Sequence, residues 1–436
     1  MKMKVFQEGT WVLANPQSAD SEPLTLPTEG SVRNIGTLCA ASNIGKPIAY
    51  GATQALVGTR HLITCDATSF TLGWEVSQGF LRSAAGADYL FFYSINSGKP
   101  KQVALVGSGM APVRLDQSTV KTLVSERIEE PVRAGDWVVI YAHATATAGG
   151  AIPSDLSGER AGDLRQFGPV GSALDDAYPL ADSVAAPESF SMRPARIAAL
   201  SDKPSILCFG DSIMQQEDSY LEKACSQLHL AAVKAAEGGA AYRHGKSMYQ
   251  KLVSPHLPYV THWIDEFGTN DWQASWASTA ALAVQWWQWA KEVAPGVEII
   301  KNTITPRPSS SDNWVTQIPY GGVGKVNNDA FNAWLRAGAP LVDGAPVAPG
   351  TGGAVTCDVI GFDGKMRPGS GGHLLRAVID IAGAIESAPD SGIFNESARA
   401  LMAQFKHRDG LHFHVSVHAL VAQRVVEDLL KLGISA

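Results

Sequence analysis

A serine, a histidine and an aspartate stand in this chain where they could build a nucleophile and its base. Ser212 closes Gly210-Asp211-Ser212 directly after an apolar run at 205–209, and Asp409 and His412 form an Asp-x-x-His pair near the C-terminus. A serine hydroxyl is a poor nucleophile at neutral pH and needs an adjacent base to take its proton as it attacks a carbonyl. A carboxylate three residues before the histidine can turn back onto the other imidazole nitrogen, fixing the tautomer and stabilising the imidazolium. Backbone N–H groups at a strand-to-helix turn can face the oxyanion that attack creates. Taken singly, each motif also has an ordinary reading. Gly-Asp-Ser can be a strand-to-turn junction, Asn270-Asp271 a strand-ending Asx turn, Asp409-Gly410 a turn before a helix, and His412 one structural histidine among eleven.

The elements that must position these residues follow from periodicity. The run at 205–209 predicts a buried central strand that delivers Ser212 at its C-terminal edge, where open α/β sheets collect reactive groups. Gly210 permits the tight turn, and a helix follows from about residue 218 with Leu221, Ala224 and Leu228 on one face. Further strands are expected at 230–235, 259–267, 297–304 and 376–381, although His262, Asp265 and Glu266 make the third more polar than a fully buried strand should be. Helices are expected at 278–293, around 328–336 and at 416–432. This alternation is the pattern of a parallel sheet covered on both faces. The Pro- and Gly-rich segments at 306–324 and 338–373 read as a loop and as an excursion or lid. Upstream, short apolar runs at 60–64, 89–93, 102–106 and 136–143 predict a β-sandwich or jelly roll. The Gly-, Ala-, Ser- and Asp-rich stretch 144–195, with Ala148-Gly149-Gly150 and Asp175-Asp176-Ala177, predicts a long surface connection. The expected division is a β-rich accessory part and linker at 1–195, serving packing, oligomerisation or carbohydrate binding, and a catalytic part at 196–436.

Composition narrows the partners. The 436 residues, 45% hydrophobic and 18% charged, can bury more than one core. A net charge of −7 without a basic stripe predicts no nucleic-acid partner, and no apolar run is long enough to predict a membrane span. Five cysteines without metal-ligand spacing predict buried thiols. The first residues, Met-Lys-Met-Lys-Val-Phe-Gln-Glu-Gly, lack the apolar core of a secretory signal. The expectation is a soluble chain that acts in the cytoplasm, or outside the cell by another route such as a phage particle. The oligomeric state is not legible in the sequence.

In order along the chain stand Gly210-Asp211-Ser212, Gly238-Gly239, Gly268-Thr269-Asn270-Asp271 and Asp409-Gly410-Leu411-His412. This set resembles the SGNH hydrolases, the GDSL family of esterases and lipases, over roughly residues 203–435. Thr305-Pro306 and Asn332-Ala333-Trp334-Leu335-Arg336 are similar to further features of that family. The resemblance implies a flavodoxin-like three-layer α/β/α domain. It implies Ser212 as nucleophile, His412 as base and Asp409 as its orienting partner. The Ser212 N–H, the Gly239 N–H (with Gly238 as the fallback) and the Asn270 amide would share the oxyanion charge. No metal and no cofactor are implied. Two features depart from the pattern: Phe413-His414-Val415 follows the histidine, leaving His414 as an alternative base, and the segment 338–373 exceeds the compact core. Trp272, Trp276 and Trp314 could wall a sugar site by stacking or could pack internally, whereas Trp286, Trp289 and Trp334 read as core. Resemblance to the family's carbohydrate acetylesterases, with an appended β-rich part, makes a polysaccharide or small-molecule ester the expected substrate. Removal of O-acetyl groups from a carbohydrate leads. A lipase or short-chain esterase, and a non-catalytic carbohydrate-binding or adhesin protein, are the alternatives.

Overall fold

The computed structural model describes residues 3–7, 10–14, 30–37, 39–40, 43–47, 54–77, 87–96, 98–115, 121–146, 151–155, 164–167, 192–216, 218–245, 250 and 253–435. It is a mixed α/β structure with several sheets. The largest has eight strands, numbered here along the chain: β1 Cys39–Ala40, β2 Ser205–Gly210, β3 Ala231–Ala236, β4 His262–Asp265, β5 Glu298–Asn302, β6 Asp358–Ile360, β7 Met366–Arg367 and β8 Leu375–Ile379. Their order is β7-β6-β8-β5-β4-β2-β3-β1, and every neighbouring pair is parallel except β6 with β7. The chain therefore turns back across β2: β3 lies on one side of it and β4 on the other. That is where a doubly wound sheet opens a crevice beyond its strand ends.

Among the described residues, six helices accompany the sheet: α1 Ser212–Gln215, α2 Tyr220–Gln227, α3 Trp276–Val293, α4 Gly322–Arg336, α5 Glu396–Gln404 and α6 Val415–Lys431. All six residues of β2 are buried, and the alternation of Ile206 to Phe209 divides these four between two apolar clusters. Ile206 and Cys208 join Leu221 and Cys225 of α2 and Val417, Val421 and Val425 of α6. Leu207 and Phe209 join Trp263, the α3 residues Trp286, Trp287 and Trp289, and Phe331 and Trp334 of α4. Trp286, Trp289 and Trp334 are core residues, as read from the sequence. All five cysteines are buried thiols.

Two expectations are corrected here. The segment 338–373 is not simply an excursion, because β6 within it pairs in parallel with β8 and extends the sheet. The stretch 144–195 is not only a connection. The strand Trp137–Ala146 runs into it, and Ala151–Asp155 and Leu164–Phe167 pair as strands in two different sheets. Ala148–Gly150 and Asp175–Ala177 lie outside the described residues. Short polar strands with small residues give little apolar alternation, so their pairing depends on partners far away in sequence. Helix α5 had no expectation at all.

The earlier part of the chain forms two six-stranded sheets, and Trp74 of one packs on Phe91 of the other at 4.2 Å between ring centroids. The strand Arg196–Ser201 belongs to one of these sheets, pairing with Ser31–Asn34 and Thr71–Ser77. Conversely, β1 comes from the N-terminal part and forms an edge of the large sheet. Arg196, paired with Glu75 at 2.8 Å, lies 4.6 Å over the Tyr259 ring. The two parts thus share strands and a continuous core.

The motif Asn332-Ala333-Trp334-Leu335-Arg336 has a structural purpose. Asn332 accepts the Ile304 N–H and donates to the Ile304 carbonyl, both at 2.8 Å, and so holds the chain leaving β5. Asn332→Ala leaves two buried backbone groups unsatisfied. It should cost about 2–4 kcal/mol, read as a lower urea midpoint with unchanged slope.

Candidate active site

The turn at the end of β2 is built around one carboxylate. Asp211 caps α1 by accepting the Ile213 N–H at 2.9 Å, and its other oxygen accepts the Asn270 amide at 3.1 Å. Its own N–H donates to Glu266 Oε2 at 2.9 Å. Glu266 approaches so closely that a Cβ at position 210 would overlap its carboxyl, which is why Gly210 stands there. Burial pushes the Asp211 carboxyl up to about 7, against the Ile213 N–H and the charges of His412 and Lys301. Burial and the Asp211 charge raise Glu266 as well. Lys301, fully buried, donates to the carbonyls of Asp265, Phe267 and Asn302 beneath this pair.

Ser212 follows this turn, and its Oγ lies 2.8 Å from His412 Nε2. His412 Nδ1 lies 2.7 Å from Asp409 Oδ2. An ionised carboxylate only accepts, so Nδ1 carries the proton and Nε2 is left to accept the serine hydroxyl. Asp409 Oδ1 accepts the N–H groups of Leu411 at 2.8 Å and His412 at 3.2 Å. Partial burial raises the Asp409 carboxyl, but the His412 hydrogen bond and these N–H groups outweigh it and hold it below its ordinary value. His414 is elsewhere: its Nδ1 accepts from Ser416 at the start of α6, and its ring stacks on Phe405.

The loop carrying His412 is wedged from below. A Cβ at Gly410 would overlap the Pro308 carbonyl oxygen, so this position must be glycine for the loop to sit against 306–308. Trp314 Nε1 donates to the His407 carbonyl at 2.5 Å, and His407 Nε2 donates to the His412 carbonyl at 2.6 Å. Trp314 is 1% exposed, so of its two readings, a sugar-stacking wall or internal packing, it takes the second. Its indole supports the loop that carries His412 instead.

On the opposite side, Asn270 Nδ2 donates to the Ala240 carbonyl at 3.0 Å as well as to Asp211, so both amide hydrogens are engaged. Asp271, 1% exposed, accepts the N–H groups of Tyr242 at 2.9 Å and Arg243 at 3.0 Å. Together these two residues clamp the segment that follows Gly238-Gly239. Gly239 has φ +76°, a left-handed conformation that favours glycine. A Cβ at Gly238 would stand 3.9 Å from Ser212 Cβ. Among the described residues, the N–H groups of Ser212, Gly238 and Gly239 have no acceptor. Trp272, half-buried, meets Tyr320 edge-to-face at 6.2 Å, and Trp276 lies 6.4 Å from Trp334. Among the described residues, no group of three or more His, Cys, Asp or Glu side chains is arranged to hold a metal ion, and no helix is long and apolar enough to cross a membrane.

Sequence reasoning did not assign Glu266, Lys301, His407 or Gly410 to the site. Glu266 and its neighbour Asp265 had left one signal, polar residues closing a strand expected to be buried.

The order and placement of these blocks resemble the SGNH hydrolases. No protein-family model matches the chain, and no curated protein is similar to it. Solved structures that are similar include a family two carbohydrate esterase from Clostridium thermocellum in complex with cellohexaose (12% identity, 92% of this chain and 99% of that one, TM-score 0.34). Another is a carbohydrate esterase family 2 enzyme with a carbohydrate binding domain from Corynascus thermopiles (Myceliophthora fergusii), at 13% identity over 92% of this chain and 100% of that one, TM-score 0.35. A GDSL-like lipase from Parabacteroides merdae is similar at 12% identity over 53% of this chain and 97% of that one, TM-score 0.35.

The raised Asp211 carboxyl sets a sign for pH dependence. Between its ordinary value near 3.8 and about 7, the folded chain keeps a proton that the unfolded chain releases. This group's contribution to stability is therefore fully present in acid and declines as pH rises through that window. Burial also raises Glu266 and pushes Glu386 up to about 7, so the urea midpoint should fall from pH 5 to pH 7.5 and Asp211→Asn should remove part of the fall. An unchanged fall in the variant would place the proton on another group.

Proposed function

We propose that the protein is a serine ester hydrolase acting through an acyl-enzyme on Ser212. The observation that carries this reading is the hydrogen-bonded chain from Asp409 through His412 to Ser212, at 2.7 Å and 2.8 Å. In the proposed reaction, Ser212 Oγ attacks the ester carbon while His412 Nε2 takes its proton. The tetrahedral intermediate collapses as His412 returns that proton to the departing alcohol. Water, deprotonated by His412, then attacks the acyl-enzyme and releases the acid and Ser212. Asp409 remains ionised and holds the imidazolium. The oxyanion is received by the N–H groups of Ser212 and Gly239, with Gly238 as the alternative; among the described residues, none of the three has an acceptor. Asn270 joins them by turning one amide hydrogen from Ala240 or Asp211 towards the oxygen. Each such donor is worth about 3 kcal/mol in the transition state.

The substrate we propose is an O-acetylated carbohydrate, with Trp272 offering a partly open ring beside the oxyanion block. In this reading, the large sheet and its helices form a flavodoxin-like three-layer catalytic unit. The β-rich first part is an accessory that adds polysaccharide contacts, with the division after Ser201 because 196–201 pairs with its strands.

Acetate release from acetylated xylan and from a chromogenic acetate ester tests the proposal. Ser212→Ala should abolish both with unchanged circular dichroism, and substantial residual release would refute the assignment. Asp409→Asn should lower kcat roughly 10³–10⁴-fold through the wrong imidazole tautomer.

A further inference from the structure

We infer that this site is shaped for a substrate carrying a carboxylate near the ester, such as an acetylated hexuronate polymer, and that Arg307 binds the carboxylate. The inference deepens the ester-hydrolase proposal and relies on it for what is cleaved, but not for what is bound. Its first support is position. Ile304 Cδ1 lies 3.1 Å from where a Cβ at Gly268 would stand, and the Pro308 carbonyl fills the corresponding place at Gly410. The chain from 304 to 308 therefore runs from the Gly268–Asp271 block to the loop that carries His412. Arg307 lies on that crossing.

The second support is how Arg307 is held. Its guanidinium lies 4.7 Å from the Tyr320 ring centroid, and Tyr320 in turn meets Trp272, the residue following Asp271. Stacking on an aromatic face orients a guanidinium and leaves its in-plane N–H donors available. Among the described residues Arg307 donates to nothing and pairs with no carboxylate, and it is partly exposed.

The third support is contrast. Residues 202–436 contain eight arginines. Arg243, Arg336, Arg367, Arg376, Arg399 and Arg424 each have a carboxylate partner within 4.0 Å. The two without one among the described residues are Arg307 and Arg408, and Arg408 immediately precedes Asp409. In a chain of net charge −7, the uncompensated guanidiniums of this half thus flank the same loop. A neutral sugar offers hydroxyls that do not require a charged planar fork, whereas a carboxylate matches one with two parallel hydrogen bonds.

The test is binding, which proceeds without turnover. Tryptophan fluorescence or calorimetry on the full chain would compare an oligogalacturonate, a xylo-oligosaccharide of equal length and a sulfated oligosaccharide. The oligogalacturonate should bind at least about tenfold tighter than the neutral ligand at low salt, and the difference should shrink as salt rises. Arg307→Gln should remove most of that preference, and Arg307→Lys should keep part of it, with melting temperatures showing both variants folded. Equal binding of neutral and acidic ligands, an undiminished preference in Arg307→Gln, or tighter binding of the sulfated ligand would each overturn the inference. Loss of acetate release in every substrate, with the acidic preference intact, would count against the hydrolase reading and leave the carboxylate site standing.

Discussion

Ser212 and His412 are two hundred positions apart and meet at 2.8 Å, and most of the described architecture around the sheet edge serves that contact. A hydrogen bond of this kind weakens steeply with a fraction of an ångström of displacement, so both loops need supports more rigid than themselves. On the serine side the support is the buried end of β2 and the cap that Asp211 places on α1. On the histidine side it is contact without slack, with Gly410 pressed against Pro308 and the Trp314 indole bonded beneath His407.

The electrostatics behind the serine follow from the same demand. Asp211, Glu266, Asp265 and Asp271 are all buried, and each holds backbone N–H groups that fix a loop at the site. Burial raises the carboxyls of Asp211, Glu266 and Asp271 above their ordinary values. Lys301 supplies one positive charge, and burial pulls its ammonium down against the carboxylates around it. Retaining protons on part of the cluster keeps the geometry at a lower electrostatic cost. Asp409 is the contrasting case, more exposed and held in its ionised form by the histidine it orients.

The coupling of the two halves comes from shared backbone pairing. β1, from the N-terminal part, pairs with β3 in the large sheet, and Arg196–Ser201 completes a β-rich sheet immediately before β2. The unpaired edge of a sheet is a liability, and here β1 covers the side of β3 with a strand of only two residues.

Much of the half from residue 202 onward was legible in the chain itself. The strand at 205–209, helix α3, helix α6 and the four motif blocks depend on local apolar periodicity and on residue types with one chemical use, and these survive being read one segment at a time. Strand β6, the strands within 144–195 and helix α5 were not legible, because short elements with small or polar residues are stabilised by what they pair with. Sequence alone determined which residues could supply a nucleophile, a base and its partner. Tertiary structure decided that His412 rather than His414 faces Ser212, that Trp314 lies under the loop carrying His412, and that Arg307 is left without a carboxylate among the described residues. The reason is physical: residue type and spacing define local chemistry, whereas contact between groups far apart in sequence exists only after packing has brought them together.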